Sequence, residues 1–166
     1  MRFALIDRIT ELEPGVRVTA VKSLSMSEEY LADHFPLFPV IPGVLMLEAM
    51  AQAGAWLVRA TEDFAHSMVV LKEASNVKYG QFLEPGQRLV VVAELVEMTR
   101  QHSRLKAKGL VEGRIILNAR LVLQQYNLAD TRPDYASTDR AIIQQLREWF
   151  AVLYQPELPV AVPAAM

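Results

Sequence analysis

His34 and Glu48, fourteen positions apart, are the two side chains of this 166-residue sequence best suited to move protons at neutral pH. An imidazole titrates near pH ~6.5 and can take a proton from carbon or oxygen under physiological conditions. Glu48 sits inside Gly43–Ala60, GVLMLEAMAQAGAWLVRA, which is apolar on nearly every side, with Gln52 four residues further on and so on the same helical face. A carboxylate in such a place is neutral, paired, or turned to a cleft, and desolvation drives it toward the protonated form that a general acid needs. The same Glu48–Gln52 pair also fits a purely structural role, satisfying the backbone of a neighbouring loop. Between the two stands Pro42-Gly43, where the unpaired N–H groups of a helix start can meet a developing oxyanion. Base, acid and oxyanion donor come from one continuous stretch.

The elements around that stretch must hold it. Pro36, Pro39 and Pro42 recur every third residue, which forbids helix and favours an extended, polyproline-like run that stiffens the loop bearing Asp33 and His34. Gly43 releases the chain into the apolar helix, which other structure has to enclose. Earlier, Glu13-Pro14-Gly15 turns the chain into a strand over Val16–Ala20, and Ser27 is expected to cap a helical turn over 27–31. From Ser67 the hydrophobic period becomes two, predicting strands over 68–72, 88–98, 104–111 and 115–125, with Glu112-Gly113 as a tight hairpin turn. In the last strand Ile115, Leu117, Ala119, Leu121 and Leu123 fall on one face. A one-faced apolar sheet and an all-round apolar helix need each other, so the fold class is α+β, an antiparallel β-sheet wrapped around a long central α-helix. Beyond Tyr126 the chain turns polar. Ile142, Leu146, Trp149, Phe150 and Leu153 then recur at helical spacing, predicting an extra amphipathic C-terminal helix capped by Ser137 or Thr138 and packed on the domain or on a sister subunit, with recruitment of another protein as the alternative. The Pro/Ala-rich end, PELPVAVPAAM, reads as a loose or docked tail.

Composition narrows the function classes. Hydrophobic residues make up 52% and charged residues 22%, with a net charge of −2 and no basic stripe, so neither nucleic acid nor an anionic membrane is an expected partner. There is no cysteine, which removes disulfides and thiolate chemistry, and the histidines at 34, 66 and 102 are too far apart for a local ligand pair, so no metal is expected. Asp7, Arg8 and Glu11 interrupt the opening apolar residues, so a signal peptide is not expected and a cytoplasmic location is. The longest apolar segment contains Glu48 and Gln52 and is shorter than the ~20 residues of a membrane span.

The stretch HFPLFPVIPGVLMLEAMAQAG resembles the signature of the FabZ-type β-hydroxyacyl-(acyl carrier protein) dehydratases, hotdog-fold enzymes of fatty acid synthesis. The likeness starts near LIDRITELEPG and continues through NVKYGQFLEPGQRL into the last strand, covering residues 3 to 125. It implies a hotdog domain over 1–125 and an extension over 126–166. It further implies that His34 acts on the α-carbon proton, that Glu48 handles the β-hydroxyl, and that the Gly43 N–H polarises the thioester carbonyl. Phe35, Leu37, Val40 and Gln52 become candidates for the lining of an acyl tunnel. The substrate would be a 3-hydroxyacyl thioester on acyl carrier protein or coenzyme A, converted to the trans-2-enoyl thioester without cofactor or metal. Each site would be built from two subunits of a homodimer, with three dimers often joined in a hexamer. Asp33 and Leu37 stand where the family usually has glycine, and Gly80-Gln81 replace its basic pair, a role for which Arg104, Lys106 and Lys108 are substitutes unless they form a plain solvated face. These departures keep two alternatives open: a non-catalytic acyl-thioester-binding or scaffold protein, and a thioesterase on the same fold.

Overall fold

Alternating apolar residues build six strands: β1 (Arg8–Glu13), β2 (Arg17–Ser23), β3 (Met68–Tyr79), β4 (Arg88–Met98), β5 (His102–Val111) and β6 (Arg114–Tyr126). They pair throughout in antiparallel fashion in one sheet of order β1-β2-β4-β5-β6-β3. Among the described residues three α-helices accompany them, α1 (Tyr30–Asp33), α2 (Gly43–Thr61) and α3 (Ala136–Leu153), with two single 3-10 turns at Leu128–Asp130 and Pro133–Tyr135. This computed structural model describes residues 3–155, so the Pro/Ala-rich tail from residue 156 lies outside the described residues. The α+β layout expected from the pattern is the one found, with the extra C-terminal helix in place.

The core lies between α2 and the concave face of the sheet. Ala49, Met50, Ala53, Leu57 and Val58 of the helix are fully buried against Val18, Leu89, Val91 and Leu117 of the strands. At Gly54 the helix lies close on the sheet: a Cβ there would lie 3.2 Å from Leu105 Cδ2 and 3.5 Å from Leu123 Cδ1. That close approach fixes the depth of α2, and with it the height of Glu48.

Where the structure departs from the sequence reading, local irregularities explain it. Ile115 is 53% exposed, not inward, because β5 and β6 slip register between Gly109 and Leu110, so Ile116 and Leu117 are buried in succession. β3 runs on to Tyr79 rather than stopping at 72, carried through bulges at Leu71/Glu73 and Ser75/Lys78 that erase the period-two signal. The hairpin at Glu112-Gly113 forms with φ of 50° and 77°, the twist that suits a two-residue turn. Ser27 does not cap a helix; its hydroxyl meets that of Ser25 at 2.9 Å, and α1 starts three residues later. The proline run is not one straight rod, since the Phe38 N–H donates to the Phe35 carbonyl at 2.7 Å, making a turn before the chain extends to Pro42.

Ser137 and Thr138 lie within α3 and cap nothing; the helix is instead tied by Asp139. This buried carboxylate accepts from the Ser67 hydroxyl and from the Leu128 and Ala129 N–H groups at 3.0 and 2.9 Å. Burial alone would raise its pKa, but these three donors outweigh it and hold the carboxyl below the usual range. Further along, Arg147 donates to Asp63 Oδ1 at 3.0 Å and lies over the Phe64 ring, while Phe150 packs against Trp56, Phe64 and Tyr154. Ile143 and Leu146 pack on the core. Tyr154 then forms a parallel bridge with Ile9 of β1. α3 is thus docked on its own domain.

Candidate active site

His34 is positioned by a chain of contacts that begins in the sheet. Lys22 of β2, almost buried, meets the Glu28 carboxylate and lies 3.5 Å from Asp7. Glu28 accepts the Leu31 N–H through its backbone at 3.0 Å, and Leu31 is 3% exposed in the core, so the short α1 is held at both ends of its first turn. His34 follows directly, its N–H donating to the Tyr30 carbonyl at 3.1 Å. The next residue, Phe35, has φ of +50°, a conformation costly for a side chain with a Cβ, and its ring sits 4.4 Å from the imidazole. A strained, proline-bounded turn therefore sets the direction in which the imidazole leaves the chain.

Glu48 is half-buried on α2 and accepts a hydrogen bond from Gln52 Nε2 at 2.9 Å. Gln52 is fixed by the opening segment: its Oε1 accepts the Leu5 N–H at 2.8 Å and its Nε2 also donates to the Phe3 carbonyl at 3.0 Å. The structural reading of this polar pair is seen directly, since one amide satisfies the backbone of the opening segment and also holds the carboxylate. Glu48 and Gln52 open on a cleft of about 430 Å³ floored by Ala51, Ala55 and Trp56.

Gly43 is the first residue of α2, with no side-chain cap from Pro42, so its N–H has no intrahelical acceptor. Tyr79, at the end of β3, packs directly on it: a Cβ at position 43 would stand 2.9 Å from Tyr79 Cε1. The aromatic wall beside this N–H was invisible in the sequence, where positions 43 and 79 carry no shared pattern.

The tunnel candidates separate into three places. Gln52 lines the cleft with Glu48. Val40 is fully buried, next to Ile41, whose N–H donates to the Leu83 carbonyl at 3.0 Å. Phe35 and Leu37 line an apolar concavity of about 480 Å³ with Pro36, Phe38 and Phe82, in which Leu37 is wholly exposed and Phe38 meets Phe82 edge-on at 5.5 Å. Leu37 therefore plugs no space within its own chain. Within the chain no hydrogen bond or ion pair joins His34 to Glu48 among the described residues, and the cleft that Glu48 lines does not include His34. His66 pairs with Glu62 at 2.9 Å and His102 with Lys72 at 2.9 Å, away from both. No helix among the described residues is long and apolar enough to cross a membrane.

Comparison with known proteins gives the family. The model of the FabA-like domain family matches residues 1–124. A 3-hydroxyacyl-[acyl-carrier-protein] dehydratase FabZ of Caldicellulosiruptor bescii is 34% identical over 120 residues, covering 72% of this chain and 86% of its own. Its counterpart from Thiobacillus denitrificans is 37% identical over 123 residues, covering 72% and 85%. Among solved structures, the dehydratase heterocomplex ApeI:P of Xenorhabdus doucetiae superposes with a TM-score of 0.64 at 18% identity, over 76% of this chain and 85% of that one. At that identity the likeness speaks for the hotdog fold.

Proposed function

Because the chain belongs to the FabA-like domain family, we propose that it removes water from 3-hydroxyacyl thioesters carried on acyl carrier protein, giving trans-2-enoyl thioesters for fatty acid synthesis or a related lipid pathway. The observation that carries this reading is the Glu48 carboxyl, held by Gln52 on a cleft of the domain and preceded in the same stretch by His34 and the Gly43 N–H.

The chemistry assigns one task to each group. The thioester carbonyl accepts a hydrogen bond from Gly43 N–H, so charge that develops on that oxygen meets a fixed donor at a helix N-terminus. The His34 imidazole takes the α-proton. The electron pair of that C–H bond becomes the new C=C bond as the β-carbon loses its hydroxyl, to which Glu48 delivers a proton so that water leaves. One C–H and one C–O bond break, and one C=C bond forms. His34 ends protonated and Glu48 ionised, and a proton passing from one to the other through solvent restores the start.

Since the two groups do not meet within a chain, the complete site takes His34 from one copy and Glu48 from another. The sheet supports such pairing: β3 is an edge strand, while the opposite edge, β1, is occupied in part by Tyr154. The exposed Phe35, Leu37, Phe38 and Phe82 offer a further apolar contact through which dimers can assemble in threes.

The test is turnover of a 3-hydroxyacyl thioester followed at once by enoyl absorbance and by free thiol. Dehydration gives absorbance without thiol, and both His34→Ala and Glu48→Gln abolish it. Thiol release would identify a thioesterase, and binding without either signal a non-catalytic acyl-binding protein.

A further inference from the structure

The family match ends at residue 124, yet α3 contributes to the cleft that begins at Glu48. Along α2 the cleft is lined by Glu48, Gln52, Ala55, Trp56 and Arg59, one continuous stripe of the helix at i, i+4, i+7, i+8 and i+11. Glu48 and Gln52 form its polar end. At the other end Trp149 and Leu153 of α3 stand beside Trp56 and Arg59. The Arg59 guanidinium lies over the Trp56 ring at 5.1 Å, and burial lowers its pKa to about 10. Small residues at 51 and 55 keep the floor deep between the two ends. The α3 side of that end is tied to the domain by Asp139 at the start of the helix and by Phe150 between Trp56 and Phe64 near its close, with Arg147 on Asp63 in the middle.

From this geometry we propose that α3 is the end wall of the acyl site: Trp149 and Leu153 set the length of acyl chain the protein accepts. This rests on the dehydratase reading of Glu48, which places the β-carbon at the polar end. The chain beyond it then runs along α2 toward Trp56. Eight residues of helix separate Glu48 from Trp56, about 12 Å at the usual helical rise, which accommodates a medium-length chain of about nine further carbons. The occupant is an unbranched apolar acyl chain because, apart from Glu48 and Gln52 at one end and Arg59 at the other, the side chains lining the cleft are apolar, Ile6, Ala51, Ala55, Val69 and Val70 among them. Trp149 is a specificity-determining residue, at the opposite end of the cleft from Glu48.

The chain's two tryptophans are Trp56 and Trp149, and both line this cleft, so its occupancy has an optical readout that does not depend on turnover. The first measurement is kcat/KM for 3-hydroxyacyl thioesters from four to sixteen carbons. The wild type rises through medium chains and then falls sharply. Trp149→Ala moves that fall two to four carbons longer, raising kcat/KM for the first rejected chain by about tenfold or more relative to that for the four-carbon substrate. An unchanged cut-off, or equal loss at all lengths, overturns the proposal. The second measurement is quenching of tryptophan fluorescence by acyl thioesters brominated at the chain end, in the wild type and in Trp56→Phe. Quenching that peaks at medium length supports the end wall even if the wild type dehydrates nothing, which would sink the activity reading alone. Quenching independent of chain length overturns it. Deleting residues 156–166 is the control: if that deletion by itself shifts the cut-off as Trp149→Ala does, the tail covers the cleft and the assignment to α3 fails.

Discussion

Gln52 ties the stability of the domain to the orientation of its candidate acid, and replacing it separates the two effects. In Gln52→Leu the Leu5 N–H, at a residue only 2% exposed, loses its acceptor at 2.8 Å, and Glu48 loses its donor at 2.9 Å. The Phe3 carbonyl is exposed and turns to water. An unsatisfied buried donor costs about 1 to 3 kcal/mol and the bond to the carboxylate about 1 more, so the variant loses about 2 to 4 kcal/mol. For a chain of this size that lowers Tm by about 5 to 15 °C. Gln52→Glu keeps an acceptor for Leu5 but sets a second carboxylate at hydrogen-bond distance from Glu48. The new side chain no longer donates to Glu48, so the carboxyl loses its orientation and kcat falls by about tenfold or more. Calorimetry and steady-state kinetics on the same two variants read both effects. A Tm within 2 °C of wild type in Gln52→Leu would refute the buried-donor argument. An unchanged kcat in Gln52→Glu would refute the orienting role of Gln52.

Four further outcomes follow from other contacts. Gly43→Val forces the Tyr79 ring aside; because Tyr79 is 49% exposed it can swing away, so activity falls at least a hundredfold while Tm drops only a few degrees, read by kinetics beside a thermal melt. Gly54→Val overpacks the contact with Leu105 and Leu123 and costs about 1 to 3 kcal/mol in denaturant unfolding, far more than the same change at exposed Gly86 once allowance is made for its positive φ. Asp139→Asn speeds hydrogen exchange in α3 at least tenfold with β4 and β5 still protected, whereas Arg147→Ala, an exposed pair, costs under about 1 kcal/mol. Asp139 is more acidic folded than unfolded, so its contribution is complete above the unfolded carboxylate range near pH ~4 and is lost as pH falls through the folded value; α3 exchange should rise only below about pH 4.

The fold was legible wherever its information is local. β4 spans the residues its period-two pattern predicts, the Glu112-Gly113 turn forms, and α2 is the enclosed helix its composition requires. His34, Gly43 and Glu48 stood out because one uninterrupted stretch holds all three. What escaped depends on contacts far apart in sequence. Nothing near Asp139 announces that its oxygens satisfy Ser67, 72 residues away, and the hydroxyls beside it look like better caps. Ile115 was misplaced because a bulge changes parity without leaving a trace in hydrophobicity. The part of α3 in the cleft wall was hidden too: Trp149 reads as one more residue of an amphipathic stripe.

The strand order has a consequence for how the chain is made. α2 ends at Thr61, but the strands that cover most of it, β4 to β6, are not complete until Tyr126. At ribosomal rates of 5 to 20 residues per second, those 65 residues take about 3 to 13 s to synthesise. Until β3 and β4 emerge, a helix apolar on nearly all sides has only β1 and β2 to shelter it, and its cover is complete only with β6. The nascent chain is most prone to self-association while β6 is unfinished, so a ribosome pausing within it would yield aggregates that a pause within α3 would not.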